Sequence, residues 1–354
     1  MMKKVIVSVT NDLVTDQRVQ RVCNSLMEWG YDILLVGRKL PESMNYNKPY
    51  QYKRMKLLFK RKFLFYAEFN FRLFVFLLFH KADILVSNDL DTLPANYLAS
   101  KVKRCKIVFD SHEYFSETPE VYKRKFVRAF WLLIEKRFIR NLNGYYTVSQ
   151  SVANIYKKKY NIDFEVIRNV PLQIKNKIST YISEPFIIYQ GSVNVGRGLE
   201  LIIKAMPLLR PLQLVIAGDG PEIGKLKDLT ASLLLQDTVK FTGRLLPEEL
   251  QEITYQAIAG ISIEEPTGLS YISCLPNKLF DYIHAGIPVL VSNLPEMKAL
   301  VTHYKIGLIL EERSIEKMAE NVKTLITDQD KRLTWKKILP LQLRNFVGKK
   351  NRLN

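Results

Sequence analysis

The sequence predicts an α/β protein of two domains, each a parallel sheet with helices on both faces. Three observations predict it. Short β-rich apolar runs alternate with longer helical patterns along nearly the whole chain, which is the order that βαβ units impose. Runs such as Ile33-Leu34-Leu35-Val36 and Leu214-Val215-Ile216-Ala217 are apolar at every position, as strands covered on both faces must be. About six such runs fall in each half, which suits two sheets better than one very wide sheet.

In the first half the expected strands are Val5–Val9, Ile33–Val36, Ile84–Ser87, Ile107–Asp110, Tyr145–Val148 and Glu165–Ile167. The second half repeats the scheme with Phe186–Tyr189, Leu214–Ala217, Val239–Thr242, Ala259–Ile263, Val289–Ser292 and Leu308–Leu310. Between the first two strands, Val19, Val22, Cys23 and Leu26 recur at helical spacing, with Asp16 as candidate N-cap and Gly30 as the terminating residue. Polar residues and prolines separate the two sets of strands. The expected domains are therefore 1–170 and 185–329, joined by a linker at 171–184, with a final helix and basic tail over 330–354.

Composition sets the class. Hydrophobic content of 47% and charged content of 25% over 354 residues describe a globular protein. Cys23, Cys105 and Cys274 have neither pairing nor metal-type spacing, which points to a reducing compartment. The longest apolar run, Leu73 to Phe79, is far short of the roughly 20 residues that cross a bilayer. The expected location is cytoplasmic, or peripheral at the inner face of the cell membrane. The formal charge of +18 is concentrated in residues 1–180, where 32 Lys and Arg stand against 16 Asp and Glu. The remainder holds 21 against 19. Such an imbalance fits an anionic partner, either a membrane surface or a phosphorylated acceptor, or else plain solubility charge. Within it, Lys60-Arg61-Lys62 sits among Phe63, Phe65, Phe69, Phe71, Phe74 and Phe76, a composition suited to an anionic membrane interface or to a packed helix with a solvated basic end. The basic residues join no nucleic-acid reading motif, and no nucleic-acid partner is expected.

Ligands of open parallel sheets bind beyond the carboxyl ends of the strands, so the residues that follow each strand are the candidates. After Phe186–Tyr189 come Gly191 and Ser192, then Arg197 before an amphipathic helix, a turn that brings backbone amides and a forked cation to an anion. Gly218, Asp219 and Gly220 follow Leu214–Ala217, and Arg244 follows Val239–Thr242; each is also explained by turn chemistry. The stretch Leu275-Pro276-Asn277-Lys278-Leu279-Phe280-Asp281-Tyr282 is the most informative. Asn277 is a candidate N-cap, and Lys278 then lies in the first helical turn, where a cation opposes the helix dipole unless an anion shares the position. Asp281, a turn later, is placed to accept hydrogen bonds from vicinal hydroxyls. In the first half His112 and Glu113 follow Asp110-Ser111, and Asp89 follows the third strand. No carboxylate pair announces a hydrolase, and no Asp/His cluster suggests a catalytic metal.

Taken together, these segments resemble family 4 glycosyltransferases of bacterial polysaccharide and lipopolysaccharide assembly. The carriers are Asp16-Gln17-Arg18-Val19, Asp110-Ser111-His112-Glu113, Gln190-Gly191-Ser192 with Arg197-Gly198, Ala217-Gly218-Asp219-Gly220-Pro221, Phe241-Thr242-Gly243-Arg244 and Pro276-Asn277-Lys278-Leu279-Phe280-Asp281-Tyr282. The resemblance implies the GT-B fold, two Rossmann-like domains with parallel sheets facing across a cleft, and a last helix crossing back to the N-terminal domain. It implies a retaining transfer without metal or cofactor, from a nucleotide diphosphate sugar to a glycan or lipid-linked acceptor. Carried over by residue, Arg197 contacts the pyrophosphate with Lys278 assisting, Asp281 takes the ribose, and His112 contacts the donor sugar. Gly191, Ser192, Gly218, Asp219, Gly220, Arg244, Leu275, Pro276 and Asn277 line the donor side. Asp16, Arg18, Asp89 and Glu113 lie on the acceptor side. The chain departs from the family pattern where a glutamate pair eight residues apart is common, with Asp281 at the second place and Ser273 at the first. Glu264 and Glu265 lie upstream, outside that spacing, and Ser192 stands where a basic residue is usual. A nucleotide-sugar epimerase of the same fold, or a catalytically silent subunit, is the alternative expectation.

Overall fold

The computed structural model describes residues 2–14, 16–41, 43, 45–60, 62–168, 184–328 and 335. The chain divides into two compact units, Met1–Arg168 and Asn169–Asn354. Of the expected linker at 171–184 only Glu184 is described, and of the expected helix at 330–354 only Trp335. The rest of both lies outside the described residues.

The first unit is a seven-stranded, all-parallel sheet of β1 (Lys4–Asp12), β2 (Asp32–Lys39), β3 (Gln51–Lys56), β4 (Ile84–Asn88), β5 (Lys106–Ser111), β6 (Gly144–Thr147) and β7 (Glu165–Val166). Its order is β3-β2-β1-β4-β5-β6-β7. All six expected strands are present. The seventh, β3, escapes the apolar signal because only Met55 of its six residues is buried. A charged edge strand of this kind resists pairing with other chains. Helix α1 (Gln17–Glu28) starts at Asp16, whose carboxylate accepts from the Val19 amide at 3.1 Å and from Asn11 Nδ2 at 3.0 Å. Helix α2 (Lys62–Phe79) seats Phe65, Phe69, Leu73 and Leu77 on the sheet at four-residue spacing. Each buried side chain of this size contributes roughly 1.5–3 kcal/mol. Its other face is apolar too: Leu64, Phe71, Val75 and Phe79 are exposed. Among the described residues no helix is long and apolar enough to cross a membrane.

The second unit is a six-stranded parallel sheet of β8 (Phe186–Gln190), β9 (Gln213–Ala217), β10 (Val239–Gly243), β11 (Ala259–Ser262), β12 (Val289–Ser292) and β13 (Gly307–Leu310). Its order is β10-β9-β8-β11-β12-β13. One continuous apolar core covers both faces, and Trp335 is buried in it. Every residue of β8, β11 and β12 is buried, which explains why the run of apolar residues was so legible.

The chain passes from β8 to β9 on one side and returns to β11 on the other, so the gap between β8 and β11 is where the winding reverses. The two strands pair only at Ala259↔Ile187 and Gly260↔Ile188. Beyond that they part, and the Tyr282 hydroxyl fills the gap. It accepts from the Gln190 amide at 3.1 Å and donates toward the carbonyls of Ile188 and Ile261 at 3.2 and 3.3 Å. A Cβ on Gly260 would fall 2.3 Å from the Tyr282 ring, so the strand needs glycine there.

Candidate active site

The crevice beside that gap is where ligands of doubly wound sheets bind, and it holds the second unit's charges. Glu264, two residues past β11, is fully buried. Its Oε1 receives Lys278 Nζ at 2.8 Å and faces Arg197 Nη1 at 3.5 Å, and its Oε2 receives the Ser262 hydroxyl at 2.8 Å. The Ser292 hydroxyl donates to the Glu264 carbonyl at 2.6 Å, and Arg313 Nη1 reaches the Ile263 carbonyl at 3.1 Å. Burial alone would raise the Glu264 carboxyl, but Lys278 and Arg197 hold it below its usual range. Two cations thus share one carboxylate. The Arg197 Nε is buried with no hydrogen-bond partner, and its guanidinium stacks 4.8 Å from the Tyr271 ring centroid.

Helix α11 (Asn277–Ala285) carries Lys278. Its N-cap is Pro276 in extended conformation, with no side-chain cap, so Asn277 is the first helical residue and not the cap that the sequence suggests. Proline at this position has no amide to satisfy, and its carbonyl accepts from the Leu279 amide at 3.1 Å. Lys278 lies in the first turn as expected, with Nζ 3.9 Å from the Tyr189 ring centroid and its stem next to Gly191. Asp281 Oδ2 accepts from Gln190 Nε2 at 2.8 Å, and Gln190 Oε1 accepts from the Thr254 hydroxyl at 2.7 Å.

The turns after β8 and β9 interlock. The Gly191 amide donates to the Ala217 carbonyl and the Val193 amide to that of Asp219. A Cβ on Gly218 would stand 1.9 Å from the Gly191 carbonyl, and its φ of 153° is one that few other residues adopt. Gly191, Ser192, Gly218, Gly220, Arg197, Lys278, Leu275, Pro276, Asn277 and Asp281 therefore share the carboxyl edge of one sheet. Asp219 is exposed, and its Oδ1 accepts from the Gly220 amide at 2.8 Å, a turn-stabilising bond. Arg244 is exposed behind β10, the outermost strand, two strands away from β8. Ser273, buried, caps the short helix Gly268–Ile272.

The first unit gathers a different set at its own carboxyl edge. Arg18 grips Asp110 with two hydrogen bonds, Nη2 to Oδ1 at 2.7 Å and Nε to Oδ2 at 3.2 Å. His112 lies between two carboxylates: Nε2 is 3.0 Å from Asp110 Oδ2 and Nδ1 is 3.2 Å from Asp89 Oδ2. Its amide also donates to Asp89 Oδ1 at 2.8 Å. Burial would lower the His112 imidazole, but Asp89 and Asp110 raise it to about 9. Burial would raise Asp110, but Arg18 and His112 hold it at about 2. Asp89 is raised, chiefly by burial. Asp91 accepts from the Thr10 hydroxyl at 2.6 Å through Oδ2, while its Oδ1 is buried without a partner. Glu113 is exposed, and Asp16 is spent on capping α1.

Two family models divide the chain between them. "Glycosyltransferase Family 4" matches residues 16–172 and "Glycosyl transferases group 1" matches 172–339. This chain belongs to glycosyltransferase family 4. The glycosyltransferase is 28% identical over 155 residues to the GDP-mannose-dependent alpha-(1-6)-phosphatidylinositol monomannoside mannosyltransferase of Mycobacterium tuberculosis. That match spans 42% of this chain and 40% of the relative, less than half the length of either. In fold it is similar to sucrose-phosphate synthase from Thermosynechococcus elongatus, with TM-score 0.83 at 15% identity over 99% of this chain and 96% of that one. Anabaena Alr3699/HepE, solved in complex with UDP and glucose, gives TM-score 0.74 at 14% identity over 99% of this chain and 97% of that one. The two Rossmann-like units of this glycosyltransferase are those of the GT-B class.

Sequence reasoning missed two carboxylates of this glycosyltransferase. Glu264 falls outside the eight-residue spacing of the glutamate pair, yet it binds the cations from 14 and 67 residues away. Asp110 was read only as part of a motif, and it anchors Arg18 across 92 residues. A buried Glu just beyond a central strand is the available signal for the first, since a strand end points into the crevice.

Proposed function

We propose that this glycosyltransferase moves a sugar from a nucleotide diphosphate sugar to a glycan or lipid-linked acceptor in cell-surface polysaccharide assembly, with retention and without metal. The observation that carries the reading is the convergence of Arg197 and Lys278 on one carboxylate at the switch point of the second sheet. With two cations on one anion, positive charge is left over for a diphosphate, and the start of α11 adds its dipole. As the bond from the sugar carbon to the diphosphate breaks, charge gathers on the departing oxygen, and these fixed groups stabilise it without rearranging. The acceptor hydroxyl forms the new bond and gives its proton to the leaving diphosphate. Asp281 takes the ribose hydroxyls, and the aspartates of the first unit accept hydrogen bonds from sugar hydroxyls.

Losing one charge-assisted contact costs roughly 1.5–3 kcal/mol, so Arg197→Ala should lower turnover by about 10- to 150-fold. The measurement is product formation with a panel of nucleotide sugars and a candidate acceptor. Transfer by Arg197→Ala at the wild-type rate sinks the assignment, and donor epimerised without any acceptor would favour an epimerase.

The same reading extends to a peripheral position at the inner face of the cell membrane. Phe71, 68% exposed on the outer face of α2, lies beside Lys53, Lys56 and Arg72, and Phe79, 83% exposed, follows two turns further along the helix. Aromatic side chains among cations suit an anionic interface. Replacing Phe71 and Phe79 by Ser should release the protein from anionic liposomes in co-sedimentation; unchanged binding removes the idea.

A further inference from the structure

Strands β2 and β3 run parallel and end together, with Lys39 directly opposite Lys56. Like charges in that register repel, and nothing in the strands themselves calls for them. Immediately beyond lies a cavity of about 370 Å³ whose walls include Arg38, Lys39, Lys56 and Lys60 together with Leu57 and Phe59. None of the described residues lining it is acidic. The turn that carries Phe59 and Lys60 to its rim is fixed from below by Glu68, whose carboxylate accepts from the Leu58 and Phe59 amides at 2.9 Å each and binds Arg72 at 2.8 Å. Arg38 lies with its guanidinium 5.0 Å from the Phe65 ring centroid, and its Nε is buried without a hydrogen-bond partner. A solvated basic face would leave no such orphan, because water would reach it. Leu58, between the wall residues Leu57 and Phe59, is 79% exposed.

We infer that this cavity is an acceptor subsite that binds the phosphate or diphosphate of an amphiphile, with the apolar stem lying along Leu57, Leu58 and Phe59. Four cations around a compact space fit a phosphate group, and Arg38 presents the forked donor that such oxygens take. The word acceptor rests on the function proposed above; the binding does not. The subsite is built at the carboxyl edge of the first sheet and shares no residue with the Arg197–Lys278 seat.

The test uses the full chain carrying Arg197→Ala, so that the donor seat is silenced, and measures binding of farnesyl diphosphate, farnesol and inorganic diphosphate by calorimetry. Farnesyl diphosphate should bind more tightly than either of the others. Adding Lys56→Gln and Lys60→Gln should weaken it by about tenfold or more, since each lost charge-assisted contact accounts for roughly that factor. Both lysines are exposed, so the fold should tolerate the change, and an unaltered melting curve checks it. In the Arg197-intact protein the two lysine changes should leave UDP binding untouched. Farnesyl diphosphate bound no more tightly than farnesol or inorganic diphosphate overturns the subsite, as does binding indifferent to the lysine changes. Loss confined to anionic phospholipid vesicles, with soluble farnesyl diphosphate unaffected, assigns the lysines to a bilayer and overturns it too. Failure of UDP to bind the Arg197-intact protein strikes the donor reading alone.

Discussion

Around the carboxyl edge of the first sheet, Asp89, Asp91 and Asp110 face one arginine and one histidine; at that of the second, Glu264 faces an arginine and a lysine. Both sheets are wound alike, outward from a central pair of strands (β1 and β4, β8 and β11). The scaffold therefore supplies the same switch point twice, and the side chains beside it give it opposite sign, while the cations beyond β2 and β3 lie further out along the first edge. A surplus of carboxylate accepts hydrogen bonds from sugar hydroxyls, whereas a surplus of cation receives phosphate oxygens. Fold and function separate cleanly here, since topology fixes where a ligand sits and strand-end residues fix its chemistry.

The sharpest way to break that contrast is to remove the shared carboxylate in each unit. Glu264→Gln and Asp110→Asn both leave buried cations uncompensated, which costs about 3–5 kcal/mol. Inorganic diphosphate should restore much of the lost stability to Glu264→Gln, by supplying the missing negative charge, and none to Asp110→Asn. Equal rescue of both in a thermal-shift assay would show that the two edges do not differ as described.

Acidity separates the units next. His112 in the folded protein titrates at about 9, above its ordinary value of about 6.5. Its contribution is therefore complete below about pH 6.5 and disappears as the pH rises through 9, a change on the order of 2–3 kcal/mol. Glu264 behaves oppositely: its carboxyl is depressed, so its contribution is present above the ordinary carboxyl value and is lost on acidification. Between pH 6.5 and 9 the first unit should weaken while the second holds. Trp29 and Trp131 report on the first unit by fluorescence in denaturant, once Trp335→Phe removes the reporter of the second. A flat profile in that window, or one that His112→Gln does not flatten, contradicts the assignment.

Smaller still, Tyr282→Phe should cost about 1–3 kcal/mol, because the Gln190 amide and two carbonyls lose their partner inside the sheet. Arg244→Ala should change stability by less than about 0.5 kcal/mol, as exposed positions without such contacts do. A loss of several kcal/mol there would mean that β10 contributes to the seat after all.

Most of the architecture was legible because strands buried on both faces, such as β8, β11 and β12, are written as largely apolar runs, and each of the twelve expected strands has an observed counterpart. Edge strand β3, QYKRMK, carries no such mark, and only its pairing with β2 defines it. Local helix chemistry was half legible. Asp16 caps α1 as its residue type and spacing suggest, whereas at α11 the extended Pro276 takes the cap position and moves Asn277 one place inward. The site was legible as a set of strand ends but not as a set of partners. The ion pairs Arg18–Asp110 and Arg197–Glu264 join residues 92 and 67 apart, and such pairs follow from sheet order, which no spacing rule encodes.

Tyr282, which holds the parted strands β8 and β11, is the immediate neighbour of Asp281, the residue offered to the ribose. One turn of helix thus serves as keystone and as reading head, so that variation in one disturbs the other. Diversification of donor preference within this scaffold would accordingly be channelled into the exposed side chains of the turn after β8, Ser192 and Val195, leaving α11 as the inherited part of the machine.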